Sequence, residues 1–439
     1  MVINMKSEQT ICLLNDSFPP LIDGVANAVV NYARQITESG GKAMVITPNH
    51  PDAEDRRFPY PVVRYPSIDI RERIGYLAGV PFSPEVASRV SQEKVALLHS
   101  HCPIVSTLLA RQLRQIVDAP LIMTYHTKFD IEITNILHSK LLQSGSRKAL
   151  VQNISVCDEV WVVSQGAGEN LRALGYEGEY TVMANGVDLP CGTLPEAQVS
   201  AATDGYDLPS GVPVFLFVGR MQWYKGQKII LDALTRLSAA QKDFRMVFIG
   251  TGADYDAIRA YAQNCDIGEK CIFTGAIHDR QVLRAWYSRA DLFLFPSTFD
   301  TNGLVVREAA ACSVASVLIR DSCASEGITD ERNGFLIEEN AESLFACLLP
   351  LIENRDVMRQ AGQMAAKEVY VSWETAVKAA MERYEIVIDR YHSGGYPSRR
   401  QPMEVLLKAN GDLMEELGNL ITLRKQIYQH IKTHRPESP

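Results

Sequence analysis

Pro213-Val214-Phe215-Leu216-Phe217-Val218-Gly219-Arg220-Met221-Gln222-Trp223-Tyr224-Lys225-Gly226 decides the fold. The apolar run 213–218 is short, uninterrupted and flanked by turn residues. It has the character of a strand buried on both faces. A loop carrying two cations follows, and helical spacing begins at about Gly226. Downstream the rhythm repeats. Strand patterns at Arg245–Ile249, Cys271 to Phe273, Leu292–Phe295 and Ala315–Ile319 alternate with helical patterns over 254–263, 279–289 and 304–311. Strand, helix, strand in series is the signature of a parallel, doubly wound sheet.

Upstream, a second region has the same rhythm. Thr10–Leu14 is a buried-strand pattern, and Val25, Ala28, Val29, Tyr32, Ala33 and Ile36 share one helical face. Gly40-Gly41 stops that helix, and 43–47 is the next strand. Further strand patterns lie at Val95–Ser100, Leu121–Tyr125 and 159–163. Between the two regions, 188–212 is rich in Pro, Gly, Ser and Ala. The expected organisation is an N-terminal domain over 1–190, a linker over 191–212 and a second domain over 213–371. A helix over 372–392 returns to the first domain, and a helical extension covers 393–439. Ligands of such sheets bind where the strands' carboxyl ends open.

Composition narrows the class. The chain has 439 residues, enough for two or three domains, with 46% hydrophobic and 22% charged residues, as in globular proteins. Forty-four basic against fifty-two acidic residues leave a net charge of −8, which argues against wholesale nucleic-acid binding. No apolar run approaches the roughly 18 residues of a spanning helix. The N-terminus reaches Asn15 and Asp16 too early for a secretory signal. Nine scattered cysteines form no CxxC pair, so they read as small core residues of a reduced compartment.

Three loops at strand ends carry candidate chemistry. In 18–24, Gly24 opens a helix, and the free N–H groups of its first turn suit an anion such as a diphosphate; an ordinary turn and N-cap is the alternative. In 219–226, Arg220 can grip a phosphate bidentately and Lys225 can neutralise it as a point charge. A solvated basic pair is the alternative there. In 299–308, Asp300 falls in the loop and Glu308 about one turn inside the next helix. Gly303 between them exposes backbone N–H groups. One carboxylate is then suited to sugar hydroxyls and the other to ribose hydroxyls.

Arg220 and Lys225, followed by a carboxylate-x7-Glu segment, resemble the donor site of the retaining family-four glycosyltransferases of the GT-B fold. The resemblance covers about residues 8–392. It includes 18–24, Thr124-Tyr125-His126-Thr127, Val163-Ser164, Ala184-Asn185-Gly186-Val187-Asp188 and Asn333-Gly334-Phe335-Leu336. Asp300 replaces the family's usual first Glu, and Ala311-Cys312-Ser313 replaces the common Ala-Cys-Gly. The resemblance implies that Arg220 and Lys225 bind the donor diphosphate and Glu308 the ribose. Asp300, Asn302, Gly303 and Leu304 would hold the transferred sugar and phosphate. Gly24, Ser164 and Ile277 complete the implied donor contacts, and His126 matches the family's active-site histidine. It also implies retaining transfer without a metal or other cofactor and without an enzymic nucleophile. His99, His101 and His126 as a metal site is a weaker alternative.

The segment 300–305 is closest in style to bacterial diacylglycerol glucosyltransferases. That implies a hexose, with UDP-glucose as donor, moving to diacylglycerol or another membrane lipid. Alternatives are a soluble or cell-envelope glycan acceptor, a nucleotide-sugar epimerase on the same scaffold, and a binding or assembly protein without catalysis. Lys140, Arg147 and Lys148 interleave with Leu141, Leu142 and Leu150, either a membrane-surface face or an ordinary amphipathic helix. The expected place is the cytoplasm, with peripheral contact on the inner face of the membrane. Met403, Leu406, Asn410, Leu413, Leu417, Leu420, Arg424, Ile427 and Ile431 form a heptad row. It would join two copies or pack on the enzyme's own surface.

Overall fold

The computed structural model describes residues 9–21, 23–69, 77–126, 129, 140–300, 303–397 and 402–433, without the side chains of 141–142, 402–403 and 425–433. The chain forms two compact units, one of 1–163, 167–183 and 377–439, the other of 164–166 and 184–376.

The first unit is built on a seven-stranded parallel sheet. Its strands are β1 (Thr10–Leu14), β2 (Lys42–Pro48), β3 (Val62–Tyr65), β6 (Val95–Ser100), β7 (Leu121–Tyr125), β8 (Glu159–Val162) and β9 (Thr181–Val182). Their order is β3-β2-β1-β6-β7-β8-β9. A small antiparallel pair, β4 (Ser67–Asp69) and β5 (Leu77–Gly79), stands apart. The helices are α1 (Gly24–Glu38), α2 (Pro84–Ser91), α3 (Val105–Val117), α4 (Lys140–Ser155) and α5 (Gln165–Ala173), of which 165–166 cluster with the other unit. Every side chain of β1 is buried, as the apolar run requires. Beside it, α1 buries Ala28, Val29, Tyr32, Ala33 and Ile36, whereas Val25 is only half-buried.

The second unit carries a six-stranded parallel sheet in the order β12-β11-β10-β13-β14-β15. The strands are β10 (Val214–Val218), β11 (Arg245–Ile249), β12 (Cys271–Gly275), β13 (Leu292–Phe295), β14 (Ala315–Ile319) and β15 (Phe335–Ile337). The helices are α6 (Glu196–Ala202), α7 (Gln227–Ala239), α8 (Tyr255–Asn264), α9 (Arg280–Arg289), α10 (Leu304–Ala311), α11 (Ala341–Glu353) and α12 (Arg355–Glu368). The stretch read as a linker carries α6, and Gly192 and Leu194 donate their N–H groups to the Ala311 carbonyl and Ser288 Oγ. Helix α13 (Trp373–His392) starts in this unit and continues from Val377 in the first.

The Ala-Cys-Ser departure has a backbone consequence. Ser313 sits at φ +59°, just past the end of α10, in the left-handed region that glycine occupies cheaply. The carbonyl there is already in close contact, since a Cβ on Gly362 would lie 2.0 Å from Ser313 O. The turn is therefore fixed by packing, and the serine bears the strain. Ser313→Gly should stabilise the protein by about 0.5–1 kcal/mol, read as a raised urea midpoint. An unchanged or lower midpoint would refute that strain.

Helix α14 (Pro402–Thr433) packs against α2 and α3 of the first unit. The face it uses is one residue away from the heptad row read from the sequence. Glu404, Leu407, Gly411, Met414 and Gly418 are buried, whereas Leu406, Leu413, Leu417 and Leu420 are exposed. Glycines, which a hydrophobicity pattern does not count, decide the matter. A Cβ at Gly418 would meet the Pro84 carbonyl at 2.2 Å, and one at Gly411 the Gln112 carbonyl at 3.0 Å. Arg111 donates to Glu404 from Nη2 at 2.5 Å, and Ser83 N–H donates to Met414 Sδ at 3.1 Å.

Candidate active site

In the second sheet, β10 continues through α7 to β11 on one side, while β13 lies on its other side. The order reverses between β10 and β13, the place where open α/β sheets leave a crevice. The loop after β10 carries Lys225 and the loop after β13 carries Asp300.

These two loops meet. Lys225 Nζ donates to both oxygens of Asp300 at 2.8 Å, and Ser297 Oγ donates to Asp300 Oδ2 at 2.8 Å. Lys225 is buried, with its ammonium 5.7–5.8 Å from the ring centres of Tyr224, Phe295 and Phe299. Such rings attract a cation through their faces and shed water around it. Gly226 makes the approach possible. It has φ +87°, and a Cβ there would lie 2.0 Å from the Pro296 carbonyl. Arg220 is different, because its side chain is exposed to solvent at the mouth of the loop.

Glu308 is held from two sides. Arg280 Nη2 donates to Oε1 at 2.7 Å and the Tyr287 hydroxyl donates to Oε2 at 3.1 Å. Burial first, then the Glu308 charge, pushes the Tyr287 hydroxyl well above its ordinary pKa, so it remains a donor. Neither partner was legible in the sequence. Arg280 is 28 positions from Glu308, and Tyr287 reads only as one more apolar position of α9. Ser297 carried a faint signal, lying three residues before Asp300.

Gly303, at φ +55°, is the residue that opens α10; Leu304 is the first residue of that helix and is half-buried. Buried Ser164 lines a small recess with Gly303, Val306, Arg307, Ala324 and Glu326. Ile277, half-buried after β12, packs on the core. Asn302 lies outside the described residues, as do Thr301 and Thr127.

Gly24 and His126 belong to the first unit. At Gly24 the expected free N–H groups are taken. Asp23 Oδ1 accepts from Val25 N at 2.8 Å and Ala26 N at 2.7 Å. The chain supplies its own anion to that helix terminus, so the first turn is not an open anion site as the loop suggested. His126 is buried, with Nε2 3.0 Å from His101 Nδ1. His99 lies 2.6 Å from both the Tyr384 hydroxyl and Thr124 Oγ1. Burial, more than any neighbouring charge, lowers the pKa of all three imidazoles, that of His126 to about 3. Among the described residues no group of three or more His, Cys, Asp or Glu is placed to hold a metal ion.

Two family models match the chain. Residues 202–368 match glycosyl transferases group 1, and residues 22–190 match glycosyltransferase family 4. The chain belongs to the GT-B glycosyltransferases. Among its relatives, an alpha-monoglucosyldiacylglycerol synthase of Acholeplasma laidlawii is 24% identical, covering 82% of this chain and 94% of that one. A GDP-mannose-dependent alpha-mannosyltransferase of Corynebacterium glutamicum is 27% identical, covering 75% and 76%. Two solved structures share the fold of this glycosyltransferase. Anabaena HepE in complex with UDP has a TM-score of 0.69 and 17% identity, covering 86% of this chain and 100% of its own. Sucrose-phosphate synthase of Thermosynechococcus elongatus has 0.69 and 20%, covering 87% and 99%.

The site geometry suits departure of a diphosphate. A desolvated ammonium, backbone N–H groups at the start of α10 and an exposed guanidinium can stabilise the charge that develops on it. Two fixed carboxylates, Asp300 and Glu308, can accept from hydroxyl groups on either side.

Proposed function

We propose that this glycosyltransferase moves glucose from UDP-glucose, with retention of configuration, to diacylglycerol or a related membrane lipid. The observation that carries the reading is the meeting of Lys225 and Asp300 at the strand-order reversal, one helix away from Glu308 held by Arg280 and Tyr287. Lys225 and Arg220 neutralise the leaving diphosphate without a metal ion, Glu308 takes the ribose hydroxyls and Asp300 the glucose hydroxyls. Asn302, Gly303 and Leu304 add N–H groups, and Ser164 and Ile277 line the donor. The departing phosphate oxygen assists removal of the acceptor proton on the same face, so no side chain serves as nucleophile.

The lipid acceptor is supported by relatives in Streptococcus pneumoniae and Acholeplasma laidlawii, both named alpha-monoglucosyldiacylglycerol synthase. No helix among the described residues is long and apolar enough to cross a membrane. Exposed Lys140 and Lys148 on α4 are suited to anionic headgroups at the cytoplasmic face.

The test incubates purified protein with UDP-glucose or GDP-mannose, and with diacylglycerol vesicles or soluble glycans. Products are read by mass spectrometry and anomeric configuration by NMR. α-Glucosyldiacylglycerol from UDP-glucose, undiminished by EDTA, is expected. Transfer only from GDP-mannose, only to soluble glycans, or conversion of the donor without an acceptor would overturn the respective part.

A further inference from the structure

His101 and His126 follow directly on β6 and β7, at the carboxyl ends of the first sheet. The strand order of that sheet reverses between β1 and β6. His101 stands at the reversal, since its backbone N–H donates to the Leu14 carbonyl at the end of β1 at 2.8 Å. That is the crevice of the first unit, the place where open α/β sheets bind ligands.

The two rings meet edge to edge. Their centres are 5.2 Å apart, their planes are inclined by 27°, and His101 Nδ1 lies 3.0 Å from His126 Nε2. The difference between the two distances is two ring radii of about 1.1 Å each, so both nitrogens lie on the line between the centres. A hydrogen bond in the ring planes has that geometry, and stacked faces do not.

One proton lies between the two nitrogens. Burial keeps both imidazoles neutral, and a neutral ring carries one N–H and one bare nitrogen. If His126 Nε2 were the donor, the His101 proton would sit on its own Nε2. That atom is buried without a hydrogen-bond partner, and an orphaned buried N–H is rare and costly. His99 offers it no acceptor, because its two nitrogens face the Tyr384 hydroxyl and Thr124 Oγ1. With His101 Nδ1–H as the donor, the unmatched atom is only a lone pair. His126 then accepts at Nε2 and carries its own proton on Nδ1.

We propose that His101 is a positioning residue that holds His126 in the Nδ1–H tautomer, so that His126 works as a hydrogen-bond donor and never as a base. The one bare nitrogen of His126 is spent on His101. The proton of an incoming hydroxyl must therefore leave by another route. The bearing on transfer rests on the proposed function, in which the departing phosphate supplies that route; the tautomer itself does not.

Long-range proton–nitrogen NMR of the full chain, labelled with nitrogen-15 histidine at neutral pH, tests the tautomer without any sugar or acceptor. Signals lost in His101→Phe and in His126→Gln assign the two rings. A protonated Nδ1 and a bare Nε2 are expected in both. In His101→Phe, His126 should lose its single tautomer and show exchange-averaged nitrogens. His101→Asn should keep the tautomer, since its amide can donate from nearly the same point. The kcat for sugar transfer should fall about tenfold in His101→Phe and recover in His101→Asn, with KM for UDP-glucose within about twofold of wild type. A protonated Nε2 on either ring, an unchanged His126 tautomer in His101→Phe, or wild-type kcat in that variant would each overturn the proposal. Wild-type protein that transfers no sugar would overturn the proposed function instead, and the NMR pattern alone would then decide the pair.

Discussion

Lys225→Ala should cut kcat/KM for sugar transfer by about 10²–10³-fold while leaving the protein folded. The magnitude is that of removing one preorganised group from a charge-stabilising site. Lys225 is suited to that effect because its ammonium is buried among Tyr224, Phe295 and Phe299 and fixed by two 2.8 Å contacts to Asp300. A cation already stripped of water costs little further reorganisation when a diphosphate arrives. Arg220, exposed in the same loop, should matter less, at about tenfold, because water can replace part of its charge. Lys225→Arg should not rescue activity, since a planar fork does not fit a point-charge pocket. Asp300 keeps its hydrogen bond from Ser297, so the stability cost should stay near 1 kcal/mol. Steady-state kinetics and a melting curve on the two alanine variants decide the matter. Wild-type turnover in Lys225→Ala would sink the assignment of this loop, and a collapsed melting temperature would mean the lysine is structural.

The elements that build this loop were legible because their signals are local. β10, β11, β13 and β14 are runs of residues buried on both faces, and such runs need no partner to be recognised. Lys225 and Asp300 were legible because each follows such a run. What holds Glu308 was not, since Arg280 and Tyr287 reach it from α9, the helix on the other side of β13 in the chain. At Gly24 the loop allowed either an open helix terminus or an ordinary N-cap, and the Asp23 carboxylate makes it the second. In α14 the pattern of leucines pointed to a face the fold does not bury, because Gly411 and Gly418 let the backbone approach where no side chain advertises it. Periodicity finds apolar surface, and close approach of backbones is decided by what is missing.

Acid should unfold the first unit over the range in which free imidazoles take up protons. His99, His101 and His126 are buried and lie within one aromatic cluster with Tyr32, Trp161 and Tyr384. His101 Nε2 has no hydrogen-bond partner, so a proton placed there would have no acceptor. All three are neutral in the folded chain, with pKa values below the ordinary 6.5. The sign follows from that direction. Above about pH 6.5 neither state binds these protons, and the full contribution to stability is present. As pH falls, the unfolded chain is protonated first, and stability is lost down to the folded pKa, about 3 for His126. Each histidine contributes about 1.4 kcal/mol per pH unit, so three approach 4 kcal/mol between pH 6 and 5. Hydrogen exchange of the β6 and β7 peptides reports this unit separately from the other. Their protection should fall steeply from pH 6.5 to 5 after correction for intrinsic exchange rates. In His101→Gln the slope should drop by about one third. A flat profile in the wild type would mean that the folded chain binds these protons as readily as the unfolded one, and the neutral cluster would be refuted.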